Sequence, residues 1–172
     1  MSTPNPKLEA TTTIDAPAEA VWAHLSDPRV LGGLSPQVVR STVQGSAPVG
    51  VGTRFLNVNR DGWKVWPTRA VVTRYEPNRA LAFKVKENGA VWSFDLEPAE
   101  GGTRVVHRRE LPAGVTKMSV LLQDKVLGGV APFEASLERG MALTLQRLAA
   151  AVAALRRRRP ATIRWRRCAS AA

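Results

Sequence analysis

The chain has 172 residues, 44% hydrophobic and 23% charged, with a formal net charge of +11. That length supports one domain with a sizeable core, and the composition is that of an ordinary globular protein rather than a disordered or fibrous one. No apolar run approaches the ~20 residues needed to span a bilayer, and one cysteine, Cys168, excludes an intrachain disulfide.

In chain order, KLEATTTI (7–14) alternates, with Leu8, Ala10, Thr12 and Ile14 on one face, and predicts a strand. DAPAEAVWAHLSD (15–27) predicts a short helix with Asp15 or Ala16 at its cap. Pro17 falls in the first turn and Glu19 suits the positive helix end. RVLGGLSPQ, broken by Gly32, Gly33 and Pro36, reads as a loop or a second short helix. From 37 to 111 period-two patterns dominate, punctuated by GSAPVGVG, RDGW, EPNR, ENGA and EPAEGG. They predict six more strands with short connections, hence antiparallel neighbours.

After Pro112 the period changes. Residues 115–127 are apolar-rich and predict a helix, interrupted by Gly128 and Gly129. PFEASLERGMALTLQRLAAAVAAL (132–155) predicts a long amphipathic helix. Its stripe runs through Leu137, Met141, Leu145 or Thr144, Leu148, Val152 and Leu155. At ~1.5 Å per residue the helix reaches about 36 Å, enough to lie across a whole sheet. Antiparallel strands covered on one side by helices make an α+β two-layer arrangement. No repeat supports a solenoid.

The charge collects at the end. Residues 156–172, RRRRPATIRWRRCASAA, carry seven arginines and no acid, which leaves 1–155 with 18 basic against 14 acidic residues, a net of +4. We read 1–155 as a ligand-binding domain and 156–172 as an arginine-rich, disordered tail. Four consecutive arginines followed by Pro160 should end the long helix near Leu155–Arg156. The tail is either a solvated extension or an electrostatic contact for nucleic acid or an anionic membrane through Arg156–Arg167. In the second case Ile163 and Trp165 are shallow anchors. The N-terminus lacks a basic patch followed by an apolar block, so the cytoplasm is the expected compartment.

The stretch GTRFLNVNRDGWKVWPTRAVV (52–72) reads as a hairpin turning at Asp61-Gly62, which would set Asn57 opposite Trp66 and Phe55 opposite Thr68. Arg54 and Arg69 lie on one face, where like charges face each other tolerably only in water. Phe55, Asn57, Asn59, Trp66 and Thr68 therefore point inward. The same parity turns Leu81, Phe83 and Val85, then Trp92, Phe94 and Leu96, then Val105, His107 and Arg109, inward. A buried polar group without a partner costs ~1–3 kcal/mol. Either these groups pair or reach solvent at the sheet ends, or they border a space that holds water or a ligand.

TIDAPAEAVWAHLSDPRVLGGLSP, GTRFLNVNRDGWKVWPT, VTRYEPNRALAFKV, WSFDLEPAEGGTRV and GMALTLQRLAAAVA, in that order, resemble the SRPBCC proteins over about residues 7–154. That group includes the polyketide cyclase/dehydrase and lipid-transport family, with the helix-grip fold of START domains. The resemblance implies a seven-stranded antiparallel sheet curved around a long C-terminal helix, with two short helices after strand 1 and a hydrophobic cavity between sheet and helix. It implies a cavity wall of Phe55, Asn57, Asn59, Trp66 and Thr68, continued by Phe83, Trp92, Phe94 and His107. Trp22 joins this set, and Leu137, Met141 and Leu145 form the helical lid.

Three functions follow from that resemblance. The first is binding or carriage of a hydrophobic small molecule, lipid or polyketide-like. The second is a polyketide cyclase, aromatase or dehydratase, with His107 as general acid/base and Arg109 holding an enolate or carboxylate. The third is a regulatory or toxin-type interaction protein. Spacing shows neither a paired carboxylate nor a nucleophile beside a base, and a strand histidine has a purely structural reading as well. No cofactor and no metal are expected, since two histidines (His24 and His107) and one cysteine offer no evident zinc cluster.

Overall fold

A computed structural model describes residues 5–112 and 130–158. The helix expected at 115–127 lies outside the described residues, as does the tail beyond Arg158 with Ile163, Trp165 and Cys168.

The elements run β1 (Lys7–Ile14), α1 (Ala18–Leu25), α2 (Pro28–Leu34), β2 (Val38–Val43), β3 (Arg54–Asp61), β4 (Lys64–Glu76), β5 (Ala80–Val85), β6 (Val91–Ala99), β7 (Gly102–Glu110) and α3 (Val130–Arg158). The seven strands form one antiparallel sheet in the order β1-β7-β6-β5-β4-β3-β2. Consecutive strands from β2 to β7 pair with one another, and β1 closes onto β7 at the far edge. The buried stripe of α3 covers the inner face: Leu137, Met141, Thr144, Leu145, Leu148 and Val152 are all buried. This is the helix-grip arrangement that the sequence resemblance implied.

Several boundaries differ from the sequence expectation. α1 begins at Ala18, and Pro17 itself is the cap, in an extended conformation (φ −66°, ψ 154°). A proline cap offers no side-chain acceptor, and Asp15 instead meets Arg156 on α3 through both its carboxylate and its carbonyl. The glycine-broken segment takes the second of its two expected forms, the short helix α2, capped by Asp27, whose carboxylate accepts from the Arg29 backbone N–H at 2.9 Å. α3 runs to Arg158, a little beyond the end expected near Leu155–Arg156. Cations are favoured at the negative helix end, and Pro160 disfavours helix only from the residue before it. Leu155, expected on the apolar stripe, is 51% exposed.

The β3–β4 register also differs. Asp61 pairs with Lys64, Asn59 with Trp66, Asn57 with Thr68 and Phe55 with Ala70. The turn is Gly62-Trp63, with Gly62 at φ +60°, the position where a type II′ turn requires glycine. The slip from the expected pairing is two residues, and a two-residue slip preserves the face on which every side chain lies.

On the outer face, Arg108 holds Glu9 at 2.8 Å and Asp95 at 2.5 Å, and Arg74 also pairs with Asp95. This chain of charges crosses the sheet from β1 to β4 and keeps that face polar. The Arg108 hydrogen bond holds the Glu9 carboxyl below the usual carboxylate range. At the opposite end, Thr103 Oγ1 donates to the Ala16 carbonyl at 2.8 Å and pins the start of β7 under the β1–α1 corner.

Candidate functional site

A cavity of about 150 Å³ lies between the inner face of β3–β7 and the first half of α3, closed at one side by α2. Its walls follow from strand alternation. β3 contributes Phe55, Asn57 and Asn59, and β4 contributes Trp66 and Thr68. Beyond them stand Phe83 on β5, Trp92 and Phe94 on β6, and His107 on β7. Leu137, Gly140, Met141 and Thr144 form the ceiling, one helical turn apart as the 3,4 spacing dictates. Among the described residues, no charged side chain lines it.

The aromatic groups hold one another in place. Phe94 stacks on His107 with ring centroids 4.0 Å apart and planes 13° from parallel. Trp92 leans toward the same imidazole at 5.6 Å, and Phe55 meets Phe83 edge-on at 5.2 Å. Asn59 is largely satisfied, since its Nδ2 donates to Thr68 Oγ1 at 2.9 Å and to the Trp66 carbonyl at 3.2 Å. Two buried polar atoms on the cavity wall are not. Asn57 Oδ1 and His107 Nδ1 have no hydrogen-bond partner among the described residues.

His107 is 4% exposed, and burial pushes its imidazole down to about 3, with the nearby Met141 backbone partly opposing the shift. The ring is therefore neutral at physiological pH. A neutral imidazole with so low a pKa orients a partner by hydrogen bonding but is a poor general base. The tuning toward neutrality on which an acid/base role depends is absent.

The structure does not bring Trp22, Leu145 or Arg109 to this cavity. Trp22 packs at the far end of the core, edge-on to Tyr75 at 5.0 Å. Leu145 points into the same packed cluster, while its neighbour Thr144 takes the cavity position. Arg109 is buried, at 3% exposure. It lies at the end of β7, donating to the Asn5 carbonyl at 3.3 Å. Burial lowers its pKa, opposed by the Glu134 carboxylate.

Sequence reasoning missed Pro28, Leu31, Gly32 and Ser35 of α2 and the following turn, together with Gln37, Val38, Val85, Asn88 and Gly140. The 3,4 spacing of Pro28, Leu31, Gly32 and Ser35 was the available signal, weakened by the glycines that left the segment open between a loop and a short helix. Gln37 ties this side to the helix by donating to Ser136 Oγ at 3.3 Å. Among the described residues no cluster of three His, Cys, Asp or Glu could hold a metal ion, and no helix is long and apolar enough to cross a membrane.

A family profile described as polyketide cyclase / dehydrase and lipid transport matches residues 5–153. None of the curated proteins matches. Among solved structures, the di-domain ARO/CYC StfQ from the steffimycin biosynthetic pathway is 13% identical, with a TM-score of 0.72 over 88% of this chain and 51% of that one. This chain thus spans about half the length of that di-domain protein. TTHA0849 from Thermus thermophilus is 20% identical, with a TM-score of 0.67 over 87% of this chain and 99% of that one. The KanY protein is also 20% identical, with a TM-score of 0.66 over 89% and 99%. These likenesses concern the fold.

Proposed function

The chain belongs to the polyketide cyclase / dehydrase and lipid transport family, and from that premise we propose that it binds and carries a neutral hydrophobic small molecule in the cavity between sheet and α3. One observation carries this reading. Asn57 Oδ1 and His107 Nδ1 are buried, unpartnered among the described residues, and set in the wall of an otherwise aromatic and aliphatic hollow. Each unpaired group costs ~1–3 kcal/mol, a cost that a ligand with matching polar atoms would offset. Among the described residues the lining carries no charge, which favours an uncharged guest. A space of about 150 Å³ suits a one- or two-ring aromatic, or the end of a longer chain threaded past α2.

Carriage is favoured over cyclisation or dehydration because neither of the two groups assigned to that chemistry is set up for it, one by position and the other by protonation. Arg109 lies off the cavity, and His107 is held neutral by burial. Native mass spectrometry of freshly purified protein tests the proposal. A co-purifying apolar species released on mild activation, displaceable by small aromatic alcohols, is expected. A bare chain that also takes up no member of a neutral aromatic panel would contradict it.

A further inference from the structure

The β3–β4 hairpin carries a surface that the cavity does not explain. Trp63, at its tip, is 86% exposed, the largest exposure of any large apolar side chain described. Val65 beside it is 61% exposed, and Val39, across the tip on β2, is 65% exposed. A tryptophan spread into water on a two-residue turn contributes nothing to the core, and the turn itself needs only Gly62.

Around these apolar groups the charge is positive. Arg60 and Lys64 flank the turn, and Lys64 Nζ lies 5.9 Å from the Trp63 ring centroid. Arg139 of α3 stands on the far side of a shallow groove whose near wall is Arg60, Asp61 and Gly62. Asp61 is the acid of this patch. None of Arg60, Lys64 and Arg139 forms an ion pair among the described residues. The groove shares Gln37 and Gly140 with the cavity wall, so the hairpin tip stands at the cavity's edge.

We propose that the Trp63 hairpin tip is a docking element for an anionic lipid surface. Three features choose a bilayer over a protein. The apolar part protrudes at a turn instead of forming a face. A tryptophan and two valines offer far less than the ~800 Å² per partner that a stable protein interface buries. An aromatic side chain among basic ones is the combination that settles at the headgroup level of an anionic membrane. Each basic group near such a surface raises the partition coefficient about fivefold. Docked this way, the protein would hold the cavity wall at Gln37 and Gly140 close to the phase that dissolves apolar guests. The inference holds whichever guest the cavity takes.

Flotation of the full chain with vesicles tests it, using phosphatidylcholine alone and phosphatidylcholine mixed with phosphatidylglycerol. The wild type should float with the mixed vesicles in low salt and lose that binding as salt rises. Trp63→Ser should lower the partition coefficient about tenfold, and Lys64→Glu by more than tenfold in low salt. Trp63 is exposed and Lys64 partly so; because Lys64→Glu sets a second acid opposite Asp61, unchanged circular dichroism and thermal unfolding of each variant are required before its binding is compared. Arg164→Gln/Arg166→Gln/Arg167→Gln, made in the full chain, separates the arginine-rich C-terminal segment from the hairpin. Binding that survives Trp63→Ser unchanged and disappears in the triple variant overturns the proposal. So does a wild type that floats with neither vesicle, an outcome that leaves an acidic protein surface as the hairpin's partner.

Discussion

Two ends of the same interior are built differently. At one end Ile14, Val21, Leu25, Val72, Leu81, Leu96, Val105, Leu148 and Val152 form a packed cluster under α1, nearly all below 5% exposure. At the other end, Phe55, Trp66, Phe83, Trp92 and Phe94 alternate with Asn57, Asn59, Thr68 and His107 around a hollow. One sheet and one helix serve both. Aliphatic side chains of similar size interdigitate and exclude space. The rings around the hollow pack on one another but leave the space between them and α3 open. An unfilled volume of about 150 Å³ forfeits roughly 3–4 kcal/mol at ~24 cal/mol per Å³. A domain holding ~5–15 kcal/mol in total gives up a large share of its stability by keeping it open. The packed end supports that concession.

The sharpest way to break the contrast is to hollow the packed end. Leu148→Ala, at a fully buried position, should cost about 2–5 kcal/mol in denaturant unfolding. A comparable loss is not expected anywhere on the cavity ceiling, where space already adjoins the side chain.

Next in size is the pH response of the hollow end. The unfolded His107 imidazole takes its proton near 6.5, whereas the folded one resists down to about 3. Between those values the unfolded state binds more protons, so stability is full above pH 6.5 and falls as pH drops. The loss is on the order of a kcal/mol per pH unit. His107→Phe should flatten the curve between about pH 6.5 and 4.5, above the range where the carboxylates titrate. A slope unchanged in that variant would assign the effect elsewhere.

Smaller still, and opposite in sign, is the effect of removing an unpartnered amide. Asn57→Leu should raise stability by about 1 kcal/mol while weakening uptake of polar-substituted aromatics. Equilibrium unfolding read beside ligand titration checks both arms. Leu155→Ser, on the exposed end of α3, should move stability by no more than ~0.5 kcal/mol.

The architecture was legible because period two and its turn signals are local properties, as is the 3,4 stripe of α3. Which face points inward was legible too, through Arg54 and Arg69, whose charges demand water. Parity protected that reading when the register did not: Asp61-Gly62 and Gly62-Trp63 both satisfy turn chemistry, and the choice between them depends on pairing along the whole hairpin. What local pattern cannot supply is position along the inner face. Trp22 and Leu145 carry the same inward signature as Trp92 and Met141, yet belong to the packed end. Arg109 is inward by alternation and off the cavity because β7 has by then run past it to Asn5. The same parity puts Trp63 on the outward arginine face; what it does not supply is the register that sets Trp63 in the turn itself.

Xenon-pressurised crystals test most directly whether the two ends differ as described. Xenon should occupy the space bounded by Phe55, Trp92 and Met141, and none should enter beneath Leu148 and Val152. Side-chain density filling the first space, or xenon distributed equally between the two, would contradict the account.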